Sequence, residues 1–509
     1  MSRPLRHISR HHNPFPQTGV SIAEDRIPRY DDLPPSLVAL LHARATQTPS
    51  AEAVAELGGE RLTYRQLWDR AATVAGGLRE AGIARGDRVA VRYSAGVDWV
   101  LGFFGTILAG GIAVTPNTRS TVQETRFVLD DAGVSVDLAP GTPLPSGEPY
   151  ADEELGLSDP AAMFYTSGTT GSPKGVPTTH EGFLTNAENM VRVLSLPPDI
   201  GAGLRTLISI PLFHVTGCNS QLLAALYVGG AAVIMPALDQ AALIEALGTE
   251  NITLLVTVPA VYSLMLRNPG FADARIDSVR WVGYGGAAIA PTLVAALQKA
   301  FPRARVFNGY GMTETAALMT VLPHDDAFAH ADSVGYAVPT VELAIVPLHD
   351  DPDVGELVAR GANVMSGYWN RPGETASALK GGWMHTGDIV RVDHAGRIHI
   401  IDRLKDIIIR GGENVSSLEV EAVLAAAPTV LEAAVLAVPD DVMGEKVGAV
   451  LFGESVDVDA VISHCRENLA DFKVPQFVHV STTPLPRNAG GKLLKAQLRE
   501  TTAWGAPLR

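Results

Sequence analysis

The stretch that most restricts how this chain can fold is Tyr165-Thr166-Ser167-Gly168-Thr169-Thr170-Gly171-Ser172-Pro173-Lys174-Gly175, which follows the short apolar run Ala161-Ala162-Met163-Phe164. The run has the character of a buried strand, so the hydroxyls, glycines and lysine must leave a sheet as a loop. Glycines let the backbone come close to an anion, exposed N–H groups and the hydroxyls of Thr166, Ser167, Thr169 and Thr170 donate to it, and Lys174 adds a mobile positive charge. Such a loop suits a polyphosphate, and a nucleoside triphosphate is its natural guest. The Walker-type phosphate loop does not fit: it needs Ser or Thr after its lysine, where this chain has Gly175 and Val176. Pro173, Lys174 and the strand leading in argue against a plain flexible linker.

At 509 residues the chain exceeds one ordinary domain, so two or more units with their own cores are expected. Its net charge of −15 argues against a nucleic-acid binder, and any anionic ligand must be held by local donors. Cys218 and Cys465 are far apart and form no CxxC pair, which points to a reducing compartment, the cytoplasm. The uncharged stretches 99–118 and 206–238 have the length of membrane spans, but glycines and prolines break both. Buried helix, turn and strand fits them better; no transmembrane segment is expected, and peripheral membrane contact stays open. Residues 1–23 hold Arg3, Arg6, Arg10, His7, His11 and His12 but no acid, and Pro4, Pro14 and Pro16 deny them an apolar helical face. A flexible arm over residues 1–30 is the expectation, not a transit peptide.

Along the chain, Leu37, Leu40 and Leu41 recur at helical spacing, and Leu62 to Leu67 opens a helix running towards Gly82. A strand Arg88 to Val91, a helix Val97 to Ala109, a Gly110-Gly111 stop and a strand Ile112 to Thr115 follow; residues 206–238 and Ile252 to Val256 repeat the alternation. That pattern predicts an α/β fold of helix-covered, mostly parallel sheets with ligands at the carboxyl ends of strands. His214, after Pro211-Leu212-Phe213, lies at one such end, where a lone histidine in an apolar run is more often a core residue than a catalyst. Trp281 to Ala287 is a strand flowing into glycines, readable as a bed for a flat ring or as a tight turn. His324, Asp325, Asp326, His330 and Asp332 match no metal template and read as a polar loop.

With Asn308-Gly309-Tyr310-Gly311-Met312-Thr313-Glu314, Gly382-Trp383-Met384-His385-Thr386-Gly387-Asp388 and Pro486-Arg487-Asn488-Ala489-Gly490-Gly491-Lys492, the loop resembles the adenylate-forming superfamily of acyl-CoA synthetases, peptide-synthetase adenylation domains and firefly luciferase. The resemblance covers roughly residues 35–500 and is nearest to the acyl-CoA synthetases. It implies a large adenylating domain, 31–401, and a small mobile α/β domain, 402–509, hinged at Asp402. By the same resemblance Thr166, Ser167, Gly168, Thr169, Thr170 and Lys174 hold phosphates, and Gly285, Gly286 and Ala287 line the adenine and the acyl pocket. Tyr310 would stack on adenine, Thr313 bond the α-phosphate, Glu314 hold Mg²⁺, and Asp388 and Arg403 reach the ribose. His214 would position the acid's carboxylate, and His214, Val215, Cys218, Gly285 and Met312 would wall its pocket. Lys492 would be the catalytic lysine, although glycine at 490 replaces the usual small residue, and Arg410, Gly411, Gly412 and Glu413 would face CoA. The activity implied is ATP- and Mg²⁺-dependent ligation of a fatty or aromatic acid to CoA through acyl-AMP, with a separate acyl carrier protein as the alternative acceptor. Monomer and homodimer are both open.

Overall fold

A computed structural model of the chain describes residues 4–166, 173–287, 289–348, 351–411, 413–487 and 493–508. Three sheets make up the large part of the molecule. The widest runs in the order Tyr336–Ala337, Ala317–Leu322, Arg305–Met312, Trp281–Gly285, Leu254–Thr257, Arg205–Ile208, Ala231–Ile234, Glu52–Glu56, Arg61–Thr63. Its six central strands, from Arg305–Met312 to Glu52–Glu56, are parallel, as the alternation of strand and helix requires. A second sheet sets Arg88–Val91, Val134–Leu138, Ile112–Thr115 and Pro160–Thr166 in parallel and closes with the antiparallel edge strand Lys174–Thr179. The third, Arg6–His7, Val341–Pro347, Val354–Gly361, Trp383–Val392 with Leu379–Lys380 and Ile398–Arg403, is antiparallel throughout, which the alternation did not foretell.

Local chemistry sets the element boundaries. Thr63 caps the helix Tyr64–Glu80 and Gln66 returns the bond, so this helix begins two residues after Leu62, which belongs instead to the short strand Arg61–Thr63. The helix Val97–Leu108 buries every residue but Asp98, and Trp99 stacks on Phe103 with ring centroids 5.1 Å apart. Its apolar run is therefore core, and among the described residues no helix is long and apolar enough to cross a membrane.

Among the described residues the basic arm is tied down rather than frayed. Arg6 and His7 add a strand opposite Ile345 and Ala344, Arg10 donates to the Val338 and Val341 carbonyls at 3.1 and 3.0 Å, and Asn13 and Gln17 donate to those of Ala337 and Pro339. Phe15 is buried, and a hairpin of Val20–Ile22 and Pro28–Tyr30 ends with the Tyr30 hydroxyl on Asn189. The arm's prolines exclude a helix, yet its side chains find carbonyl acceptors on the third sheet that its own sequence could not announce.

After Arg403 the chain leaves the third sheet and builds a smaller one from Glu413–Val415, Ile408–Arg410, Gly444–Phe452, Glu432–Asp440 and Phe477–Ser481. Helices Ser417–Ala426 and Val458–Asn468 contribute Val420, Leu424 and Val461 to its core with Val447 and Leu451.

Candidate active site

Trp281–Gly285 and Arg305–Met312 end side by side, with Gly285 opposite Gly309. A side chain at Gly285 would start 2.4 Å from the Gly309 carbonyl oxygen, and one at Gly311 only 1.5 Å from that of Ala317, so neither position admits a Cβ. A register shift between Tyr310 and Gly311 bulges the strand, and the chain turns through Thr313–Thr315. Ala316 and Ala317 leave that turn with φ of 51° and 117°, conformations that cost about 1–3 kcal/mol each in residues with a Cβ. Surrounding bonds hold the turn: Asn363 Nδ2 donates to the Thr315 and Leu318 carbonyls, both at 2.8 Å, and the Met365 N–H to the Glu314 carbonyl at 2.8 Å.

The Glu314 side chain is 7% exposed, and its Oε1 accepts from the Tyr368 hydroxyl at 2.8 Å. Oε2 has no hydrogen-bond partner among the described residues, and Thr313 and Glu314 border a cavity of about 410 Å³. Lys174 Nζ lies 4.8 Å from the centre of the Tyr368 ring. Lys174 is paired with Thr166 across the antiparallel edge, so the two ends of the glycine- and hydroxyl-rich loop are brought together beside Glu314. The expected phosphate contacts Ser167, Gly168, Thr169 and Thr170 lie outside the described residues, as do Gly412 and Lys492.

Four residues upstream of Glu314, the Tyr310 hydroxyl donates to Asp388 Oδ2. Arg403, cross-strand from Asp388, places Nε 2.6 Å from Oδ1. Asp388 is buried, its N–H bonded to Thr386 Oγ1 at 3.1 Å. Burial and the Asp388 charge push the Tyr310 phenol well above its ordinary pKa, which keeps it a neutral donor. Four residues span at most about 14 Å of chain, so Tyr310, which holds Asp388, and Glu314 stand on one short segment. Asn308, Gly309, Gly311, Met312 and Thr313 belong to the same strand and turn, while Gly286 and Ala287 follow Gly285 in the neighbouring one.

His214 follows the strand Arg205–Ile208, half-buried, its ring 4.7 Å from that of Phe213. Of the other expected pocket residues, Gly285 and Met312 are half-buried, whereas Val215 and Cys218 sit in the core cluster of Trp99 and Phe103. Complete burial keeps Cys218 a neutral thiol. Asp402 is buried; its carboxylate accepts from the Ser417 N–H, from Ser417 Oγ at 3.1 Å and from the Arg403 N–H at 2.7 Å, and burial raises its pKa. Arg410 ends the strand Ile408–Arg410, Gly411 turns with φ 59°, and Glu413 begins the return strand. The polar residues after Pro323 have structural partners: His324 Nδ1 accepts from the Val306 N–H, Asp326 pairs with Arg397, and Asp332 with His399. The sequence reading passed over Tyr368 and Asn363. The only local hint of them is the glycine followed by two aromatic residues at Gly367-Tyr368-Trp369.

A carboxylate with one oxygen free of described partners, near the Lys174 ammonium, fits a hard divalent cation that completes its oxygen shell from phosphate. Among the described residues no group of three or more His, Cys, Asp or Glu side chains gathers to hold a metal by itself.

The large three-sheet part followed by a small α/β unit is the fold of a two-unit enzyme that uses a nucleotide. The chain belongs to the AMP-binding enzyme family, whose model matches residues 41–369, and the AMP-binding enzyme C-terminal domain matches residues 419–492. It is 36% identical to a feruloyl-CoA synthase of Amycolatopsis sp over 484 residues, covering 90% of this chain and 97% of that protein. It is 33% identical to the long-chain-fatty-acid–CoA ligase FadD13 of Mycobacterium tuberculosis over 499 residues, covering 91% and 97%. Among solved structures it is similar to the o-succinylbenzoate CoA synthetase MenE of Bacillus subtilis. The complex with the acyl-adenylate intermediate OSB-AMP gives a TM-score of 0.81 at 27% identity, covering 92% of this chain and 99% of that one. The complex with ATP and magnesium ion gives 0.81 at 28%, covering 90% and 99%.

Proposed function

We propose that the protein is an ATP-dependent acid–CoA ligase that activates a fatty or aromatic carboxylic acid as acyl-AMP, releases pyrophosphate and transfers the acyl group to CoA as a thioester. The observation that carries this reading is the single strand and turn that joins Tyr310, on Asp388 and Arg403, to Glu314, on Tyr368. One end suits a ribose, since a carboxylate accepts bonds from two hydroxyls; the other suits a triphosphate. The relatives named above are acid–CoA ligases, which favours CoA over a carrier protein as the acceptor.

A carboxylate does not react with a thiol unaided because oxide would have to leave. Attack of a carboxylate oxygen on the α-phosphorus of ATP breaks the bond to pyrophosphate and forms a mixed anhydride from which AMP departs readily. Tyr310 and Asp388 orient the nucleoside, Thr313 and the loop 166–174 hold its phosphates, and His214 positions the acid. Lys492 bridges the carboxylate and the α-phosphate as charge moves between them. Glu314 would hold Mg²⁺, whose charge would offset that of the triphosphate. The small unit, 402–509, then turns about Asp402, which withdraws Lys492 and brings Arg410 to Glu413 to the site. The CoA thiolate attacks the acyl carbon, AMP leaves and the thioester remains. Cys218 and Cys465, both free and buried, agree with the reducing cytoplasm as its compartment.

Of the expected pocket residues, Val215 and Cys218 belong to the core, and the half-buried His214, Gly285 and Met312 offer no lysine or arginine for a second carboxylate, which favours a fatty or aromatic monoacid. ATP–pyrophosphate exchange with hydroxycinnamic, benzoic and graded fatty acids, followed by thioester assay with CoA, tests the reading. Exchange that requires an acid, with CoA thioester formed, supports it; phosphate release without exchange, or no response to any acid, overturns it.

A further inference from the structure

We propose that Tyr368 is a positioning residue for adenylation, fixing at once the carboxylate at the phosphate end of the site and the lysine of the glycine-rich loop. This rests on the function proposed above and adds a residue that lies outside the motifs from which it was read. Tyr368 is the one described side chain that meets both groups: its hydroxyl donates to Glu314 Oε1 at 2.8 Å, and its ring lies under Lys174 Nζ at 4.8 Å. A carboxylate with one oxygen tied to a phenol presents the other in a fixed direction, so the metal meets one preset oxygen instead of a freely rotating pair.

The residue is itself held. Its N–H donates to Thr375 Oγ1 at 3.0 Å, the next N–H, of Trp369, donates to the Gly175 carbonyl at 2.9 Å, and the Met365 N–H donates to the Glu314 carbonyl at 2.8 Å. The segment 365–369 thus bonds to the Glu314 turn at one end and to the Lys174 strand at the other, with Tyr368 between. The ring offers Lys174 a resting place by cation–π attraction, from which the ammonium is within a side-chain swing of phosphate near Glu314.

The test uses the full-length chain as wild type, Tyr368→Phe, Glu314→Gln and the double variant. Binding of Mn²⁺ with ATP, without acid so that nothing turns over, is followed by the electron paramagnetic resonance of Mn²⁺. Phe keeps the ring and the fold but removes the hydroxyl, and a hydrogen bond to a charged group predicts Mn²⁺·ATP binding weakened about ten-fold. In the Glu314→Gln background the same change should add nothing. Affinity of Tyr368→Phe within two-fold of wild type overturns the proposal, and so does an equal further loss in the double variant, which would mark a structural effect unrelated to Glu314. Failure of the wild type to show acid-dependent pyrophosphate exchange would sink the function reading instead, and the Mn²⁺ titration would still be readable.

Discussion

At Gly311 a methyl group has nowhere to go, because the Ala317 carbonyl already occupies its place. Gly311→Ala should therefore displace the Thr313–Thr315 turn and with it Glu314, lowering the pyrophosphate-exchange rate at least 100-fold by the loss of a group that positions charge in the transition state. Asp388→Ala acts at the other end. It removes the Asp388 acceptor of the half-buried Tyr310 hydroxyl, at a cost of about 1–3 kcal/mol. The KM for ATP should rise ten-fold or more, with a lowered Tm; an unchanged KM would separate Asp388 from nucleotide binding. Both residues stood out in the sequence because glycine and aspartate occurred inside motifs. Tyr368 did not stand out: its partners Glu314 and Lys174 are 54 and 194 positions away, and an isolated aromatic residue ordinarily reads as core.

Among the elements, two helices meet at His180. It opens the helix His180–Val193, and its Nδ1 accepts from the N–H of Leu37, the first residue of the helix Leu37–Gln47. Burial lowers its pKa from 6.5 to about 4, since a proton there would place an unsolvated cation at two positive helix ends. A base whose folded pKa is depressed gives stability that is complete above its unfolded value and is lost as pH falls through 6.5 towards 4, by about 3 kcal/mol at most. The Tm of the wild type should fall between pH 7 and pH 5 by several degrees more than that of His180→Gln, which keeps an acceptor but cannot titrate. The arm is the other element-scale case. Deleting residues 4–18 would uncover Val341–Pro347 as an exposed sheet edge and Phe15's site as an apolar patch, so the truncated protein should melt lower and aggregate on sizing columns. Strands such as Arg88–Val91 and Ile112–Thr115 were legible because apolar runs and glycine stops are local signals. The arm's attachment was not, since Arg10 finds the Val338 carbonyl 328 residues away.

For the molecule as a whole, Asp402, the proposed hinge, is the point to probe. Asp402→Pro should leave acid-dependent pyrophosphate exchange within a few-fold of wild type but abolish thioester formation, because proline fixes φ where the backbone must turn. Asp402→Ala loses the same carboxylate bonds to Ser417 and Arg403 yet keeps that freedom, and so should still form thioester. If both variants behave alike in single-turnover assays of the two half-reactions, the carboxylate network and not backbone rotation is what the joint contributes.

The amino-acid sequence by itself determined the alternating strands and helices and placed glycines, hydroxyls and carboxylates within the motifs proposed for the nucleotide. Each of these is set by contacts within a few positions, where period, turn chemistry and residue size act directly. Only the tertiary structure decided that the arm becomes a strand of the third sheet, that Cys218 packs into the core, and that Tyr368 stands between Glu314 and Lys174. Those outcomes depend on which distant donor and acceptor the packed sheets bring within 3 Å, and no local pattern encodes that distance.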